Sequence, residues 1–437
     1  MPSSSAEKRW APVWLMGLSN ATFGFMGGFM VLPLPQMLAA QGVPEWKIAA
    51  ISGACLLPGF WVFALGPLLD FRFSRRWWAT LFAVLAGVGM TVAVLFRSHL
   101  AVLETALIVG YAAAALSSNA LGGWLAGVVP VLAERAGDDA NHEGAWLSSW
   151  TQVGVFLGNG LMAIVAGEGM RKLPAAVIAP LLGAMVMLPA AVFPWIPLVG
   201  QRELGEDGRS LGDGFRQFFG EVKATLRGRE VWLTLMLFVV PTGSCALSNA
   251  LGGVAAEFHA SDAFVSRIGG IGLSVAGAAS CLLLPVLARR VKALPLYLLL
   301  GTVGAVFTLV LLVLPRTPLT FAIAFVGENM VQAICFTAAV AICFNVIGEE
   351  NPLAGTQFGL LTAATVLPIV YMGVLDGRAY SGHPLLPWLP HGVSGMYLFD
   401  GGLSLLACVV MAALMMWWRP AARKGALPDR GVHLTGE

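Results

Sequence analysis

Charge is what this chain has least of. Asp, Glu, Lys and Arg make up 11% of its 437 residues, where a soluble domain carries roughly 25%, so a soluble enzyme is excluded. The 26 basic and 24 acidic residues leave a formal charge of +2, too small and too dispersed for a nucleic-acid footprint. Six cysteines (Cys55, Cys245, Cys281, Cys335, Cys343, Cys408) fall inside apolar stretches, none in C-x-x-C spacing; they read as small core hydrophobes. The phosphate loop G-x-x-x-x-G-K-[ST] is missing, so the chain encodes no ATP motor. H-E-x-x-H is missing too, and the six histidines lie mostly in loops. No metal, no cofactor and no catalytic residue is therefore expected. A polytopic membrane enzyme, the alternative class, needs paired acids or a concentrated polar loop, and a channel would show repeated pore rings.

What is abundant is apolar sequence, 57% of the chain. A membrane span takes about 20 such residues, and twelve segments qualify. Six precede residue 200: Trp14 to Ala39, Trp46 to Leu69, Trp77 to Phe96, Leu100 to Leu132, Trp146 to Gly167 and Ala175 to Val199. Six follow residue 230: Val231 to Ala256, Val265 to Ala288, Leu294 to Leu314, Pro318 to Ile347, Phe358 to Leu375 and Val393 to Trp418. The reading is an all-α, multi-pass integral membrane protein, with the bilayer itself as a partner. Met1 to Pro12 carries Lys8 and Arg9 but leads into too long an apolar run for a signal peptide, so the start is expected to be retained.

Lys and Arg resist translocation, and their placement sets orientation. With both termini inside, nineteen basic residues fall on the inner side and seven (Lys47, Arg97, Arg171, Lys172, Arg267, Arg316, Arg378) on the outer side. An even number of spans in a bacterial inner membrane, with both ends cytoplasmic, is expected. The long polar stretch Gln201 to Glu230 divides residues 1–200 from 231–437 as a cytoplasmic linker; inside it Phe215, Phe218, Phe219 and Val222 have the spacing of a short surface helix.

The halves repeat weakly at an offset of about 218 residues. Gly66 to Arg72 lies against Leu284 to Arg290, and the turns Gly42 to Glu45 and Ala260 to Asp262 each start a helix with an acid in its first turn. A parallel duplication of six spans is the plan of the major facilitator fold. The loop Gly66 to Arg76, with Asp70, Arg72, Arg75 and Arg76, resembles that superfamily's signature G-x-x-x-D-R-x-G-R-R, although Phe71 replaces its first Arg and Ser74 stands in the region of its glycine. Asp70 and these arginines are expected to form a charge latch that gates one face; snorkelling at the membrane surface is the plain alternative.

Within the superfamily the chain resembles the branch of AmpG-type muropeptide permeases and acetyl-CoA transporters. The residues that carry this are Trp61, Pro67 to Asp70, Glu328-Asn329, and Leu367 to Met372 leading to Asp376-Gly377. The branch often has two acids in span four, where this chain reads Ser118-Asn119-Ala120-Leu121-Gly122-Gly123-Trp124.

Ionisable residues inside a span are costly, about 2.5 to 3.5 kcal/mol on insertion scales. Glu328 is ten residues into its span, about 15 Å deep, and is the candidate proton carrier; an interhelical hydrogen bond is the structural alternative. Gln332 is one turn on and Asn329 adjacent. Asp376 and Asp400, near outer span ends, are read with Arg378 as an outer gate or as a solvated rim. In the superfamily's architecture, spans one, four, seven and ten line the cavity, which makes candidates of Asn20, Gln36, Tyr111, Ser118, Asn119, Ser244, Ser248, Asn249, Asn329 and Gln332. Gln152 joins them from span five, where Gly154 and Gly158 form a G-x-x-x-G packing face beside Thr151 and Asn159. One acid among hydroxyls and amides, with no mid-membrane Lys or Arg, suits a neutral or zwitterionic solute better than a polyanion. The expected function is a proton-coupled secondary transporter for a small solute: a muropeptide or peptide or sugar conjugate, then a siderophore, then a drug-like solute.

Overall fold

The computed structural model describes residues 10–70, 73–198, 229–243, 246–348, 351–382 and 390–417. Among them helices are the regular elements and no strand occurs. Eleven helices are long and apolar enough to cross a membrane: α1 (Ala21–Ala40), α2 (Trp46–Leu69), α3 (Arg75–Leu95), α4 (Leu100–Ala136), α5 (Ala140–Lys172), α6 (Ala175–Trp195), α8 (Ile268–Ala288), α9 (Ala293–Val313), α10 (Pro318–Ile347), α11 (Ala354–Ser381) and α12 (Val393–Trp417). The segment expected as a continuous seventh span, Val231 to Ala256, is instead α7 in two pieces. Arg229–Val239 ends before Pro241, and the helix resumes as Leu247–Ala250 with the 3₁₀ run Leu251–Phe258.

Proline accounts for much of this interruption, because it lacks an N–H and its ring collides with the carbonyl four residues back. Pro33 begins a new helical piece within α1. Pro58 and Pro67 divide α2 into short segments joined by the 3₁₀ turn Val62–Leu65. In α8, Gly270 leaves helical geometry at φ −81° and ψ −108° inside a π-turn. The two turns with an acid beyond them do start helices, at Glu45 and Asp262, the second capped by Ser261 Oγ, which accepts from Phe264 N at 3.3 Å.

Lipid is as apolar as leucine, so small residues rather than hydrophobic burial bring membrane helices together. The short helix Val13–Leu18 and α1 both lie on α5, where a Cβ on Gly154 would stand 3.1 Å from the Leu18 backbone and one on Gly158 3.1 Å from that of Ala21. α3 packs on α4 and α6, and α9 on α10 and α12. Trp124, fully buried on α4, donates from Nε1 to Pro197 O at 2.8 Å and so ties α4 to the end of α6. The first six spans meet the last through α2 and α4 on α11, and α5 on α8 and α10. Gly123 of α4 is pressed against Gly355 of α11; a Cβ there would lie 2.5 Å from the Gly355 nitrogen. The stretch 199–228, including the expected surface helix, lies outside the described residues, as does Arg72.

Candidate functional site

Three polar assemblies occur where apolar packing would be expected. The first closes one face. Asp70, at the end of α2, is 6% exposed, and Arg75, at the start of α3, is 7% exposed. Arg75 Nε donates to Asp70 Oδ1 at 2.9 Å, and Arg75 Nη2 donates to the carbonyls of Asn351 and Pro352 at 2.8 and 3.1 Å. The Asp70 carboxylate also accepts from Gly355 N at 3.0 Å and from Thr356 N and Oγ1 at 2.8 and 2.7 Å. Burial of both side chains rules out snorkelling for this pair. Arg76, half-buried, does not join it.

A second contact lies on the same face. Asn141, at the start of α5, donates to Ala288 O at 3.0 Å and accepts from Ala293 N at 3.1 Å, which grips the α8–α9 turn. Next to it His142 is bracketed: Nδ1 lies 2.7 Å from Asp138 Oδ2, and Nε2 lies 3.2 Å from Arg289 Nε. The guanidinium only donates, so Nε2 accepts and Nδ1 carries the proton. Asp138, outside the spans, has its carboxyl held below the usual range, first by the Asp139 backbone N–H and then by His142. Asp138, His142 and Glu143 bring ligand-type atoms within 4.8 Å of one another, but both His142 nitrogens are already engaged.

The second assembly is a central cavity of about 290 Å³, near the lower end of the roughly 300–1,000 Å³ of small-molecule sites. Asn20, Ser118, Asn119, Gln152 and Gln332, all expected here, line it. So do Thr151 and Asn159 of α5 and Thr362 and Thr365 of α11, between the rings of Phe23, Phe156, Phe336 and Phe358. Asn159 Oδ1 is buried without a hydrogen-bond partner. The wall is thus built from α1, α2, α4, α5, α10 and α11. α7 does not line it among the described residues, contrary to the expectation from spans one, four, seven and ten. Thr362 and Thr365, three apart beside Gly359, were the available signal for α11.

Other expected cavity residues lie elsewhere. Gln36 lines a separate cavity of about 370 Å³ with Gln41 and Arg97. Tyr111 is 8% exposed, stacks on Phe23 at 5.4 Å and stands behind the cavity. Asn329 is directed toward Gly277 of α8, with Oδ1 unpartnered. Ser248 is buried outside the cavity. Ser244 and the Asn249 side chain lie outside the described residues.

The third assembly is acidic. Glu328 is 1% exposed and does not face the central cavity. Thr308 Oγ1 of α9 donates to Glu328 Oε1 at 2.5 Å, while Oε2 has no partner. Glu328 and Asp400 share a space of about 10 Å³ with Thr308, Ser404 and the broken backbone of α7 at Pro241, Thr242 and Gly243, room for one water-sized particle. Asp376 and Asp400, read as an outer gate or rim, are instead 0% and 2% exposed. Their carboxyl groups face each other, and no other side chain or backbone donor reaches either oxygen of Asp376 or Oδ1 of Asp400. Arg378 stays exposed and apart. Their helical positions suggested exposure because both lie within two turns of a helix end; tertiary packing overrode that.

No family model matches the chain, and no curated protein matches its sequence. Solved structures do match. The proton:xylose symporter XylE aligns with a TM-score of 0.65 at 15% identity, over 92% of this chain and 95% of that one. The E. coli fucose:proton symporter FucP aligns at 0.63 and 13% identity, over 92% and 98%. The human organic anion transporter MFSD10 aligns at 0.60 and 17% identity, over 91% and 98%. The fold of this chain is that of the major facilitator superfamily.

Proposed function

We propose that this chain is a secondary active transporter that moves a small polar solute by alternating access, coupled to protons through Glu328. The observation that carries this reading is the pairing of a central cavity of about 290 Å³, where amides and hydroxyls stand among apolar side chains, with a buried ionic latch that joins the first six spans to the last on one face. Alternating access requires such a contact to form and break, and Asp70 and Arg75 bond mainly to backbone across the interface, so the face can release as a unit. Residues 1–200 and 231–437 are the two moving bundles, and 201–230 links them. The basic asymmetry supports an orientation with the latched face and both termini on the cytoplasmic side, in what we read as a bacterial inner membrane.

The amide and hydroxyl lining favours a neutral or zwitterionic solute. The resemblance to muropeptide permeases puts sugar and peptide conjugates first, and a cavity of about 290 Å³ accommodates a single sugar or short peptide unit rather than a whole disaccharide-peptide. Siderophores and drug-like solutes come second. Solute and proton are the partners; neither a cofactor nor an ATPase subunit enters the scheme, and the chemistry is transport rather than catalysis.

A screen in inverted membrane vesicles tests it: labelled amino sugars, short peptides, muropeptides and siderophores are offered with and without an imposed pH gradient. Gradient-dependent movement of one class supports the reading. Vesicles that move none of them, with the protein inserted and monodisperse, would refute it.

A further inference from the structure

We propose that Glu328, Asp400 and Asp376 form a single proton-binding site, walled off from the solute cavity, which α10 connects to that cavity. The coupling half of this inference rests on the transport reading; the proton-binding half does not.

Placement is the first argument. Asp376 lies five residues before the end of α11 at Ser381, Asp400 seven after the start of α12 at Val393, and Glu328 ten after the start of α10 at Pro318. Those ends share the face opposite the latch, so the three acids descend about 7, 10 and 15 Å from it. They form a stepped file inside the protein.

Partners are the second argument. The described ion pairs supply no Lys, Arg or His to any of the three. The nearest charged and titratable neighbours stand toward the face: the buried Tyr397 on α12, whose hydroxyl is unpartnered, then Arg316, 5.3 Å from its ring, and Glu257 beyond. α9 contributes the Thr308 hydroxyl, and the α7 break contributes Thr242. Buried like charges this close do not coexist without a compensating cation. Glu328 and Asp400, each with one unpartnered carboxylate oxygen (Oε2 and Oδ1), border a space for one water-sized particle, beside the carbonyl-bearing C-terminal end of the first α7 piece. Unwound backbone and half-helix ends are where transporters hold a coupling cation. With one proton shared by facing carboxyl groups and another on Glu328, the site needs no metal.

Separation is the third argument. None of the three acids lines the solute cavity, whereas Gln332, one turn beyond Glu328, does. A change of charge at Glu328 therefore reaches the solute through movement of α10 rather than by contact.

Infrared titration of the lipid-reconstituted protein, without solute, tests the site. The carbonyl band of protonated carboxyl groups is followed against pH in wild type, D376N, D400N and E328Q, with D376E as the variant that keeps the acid. A single site predicts that removing either aspartate shifts the titration of the remaining band at least tenfold in proton concentration, and that D376E restores it. A Glu328 band that titrates identically in D376N and D400N would overturn the proposal. So would loss of the bands on saturating with sodium at constant pH, since the same oxygens would then hold a metal cation. Because no solute is used, a positive titration stands even if the vesicle screen fails.

Discussion

Replacing Asp70 by Asn keeps the volume and removes the charge, and the structure says where the cost falls. Four donors reach the carboxylate: Arg75 Nε, Gly355 N, Thr356 N and Thr356 Oγ1, at 2.7 to 3.0 Å. An amide offers one acceptor oxygen and turns its NH₂ toward either the guanidinium or the Thr356 donors. Breaking one partner of a buried ion pair costs about 3–5 kcal/mol. Residues 351–356 belong to the last six spans, so this cost is borne by the closed arrangement of the face rather than by either bundle. At about 1.4 kcal/mol per factor of ten, the ratio of closed to open should fall by roughly two to three and a half orders of magnitude, less if the Asn141 and His142 contacts hold the face partly shut. Spin labels at Phe73 and Arg290, both exposed on that face, report the opening as a longer-distance population in D70N. Identical distance distributions in wild type and D70N, in protein of equal yield and thermal stability, would refute the latch.

R75Q should open the same face to a similar degree, measured with the same labels. G123A pushes a methyl against the Gly355 backbone and should also disfavour closure, by about 1–3 kcal/mol, without loss of insertion. Asp138 has a lowered folded value, so its contribution is present above the ordinary aspartate range and is lost as pH falls through that lower value; the labelled face should loosen only in that acid window, and D138N should abolish the dependence. Asn159→Leu removes an unpaired cavity acceptor and should raise the apparent KM of the transported solute roughly two- to tenfold, since one hydrogen bond is worth roughly 0.5–1.5 kcal/mol, with the far-ultraviolet spectrum unchanged.

The all-α, multi-span architecture was legible because spans are defined by length and apolarity, which the chain carries plainly. The Asp70–Arg75 pair was legible for a similar reason: charge this scarce, in one short loop, has few partners. What the sequence concealed is direction. Helical spacing placed Glu328 and Gln332 on one face, yet a turn of α10 advances about 400° over four residues, enough for Gln332 to meet the cavity while Glu328 meets α9 and α12. Asp376 and Asp400 could be grouped from their shared place near outer helix ends, but nothing local marked the pair as buried or Arg378 as apart from it. The α7 break at Pro241 to Gly243 was visible as Pro-Thr-Gly, but in an apolar run a proline is often tolerated within a span, as Pro130 of α4 and Pro368 of α11 are.

The central claim is that Glu328 carries the coupling proton. Proteoliposomes containing wild type or E328Q are loaded for solute exchange and then challenged with a pH gradient, with and without a proton ionophore. Gln imitates the protonated acid and can still engage Thr308, so E328Q should exchange solute at a rate near wild type while losing gradient-driven accumulation. Concentrative, ionophore-sensitive accumulation by E328Q would contradict the account.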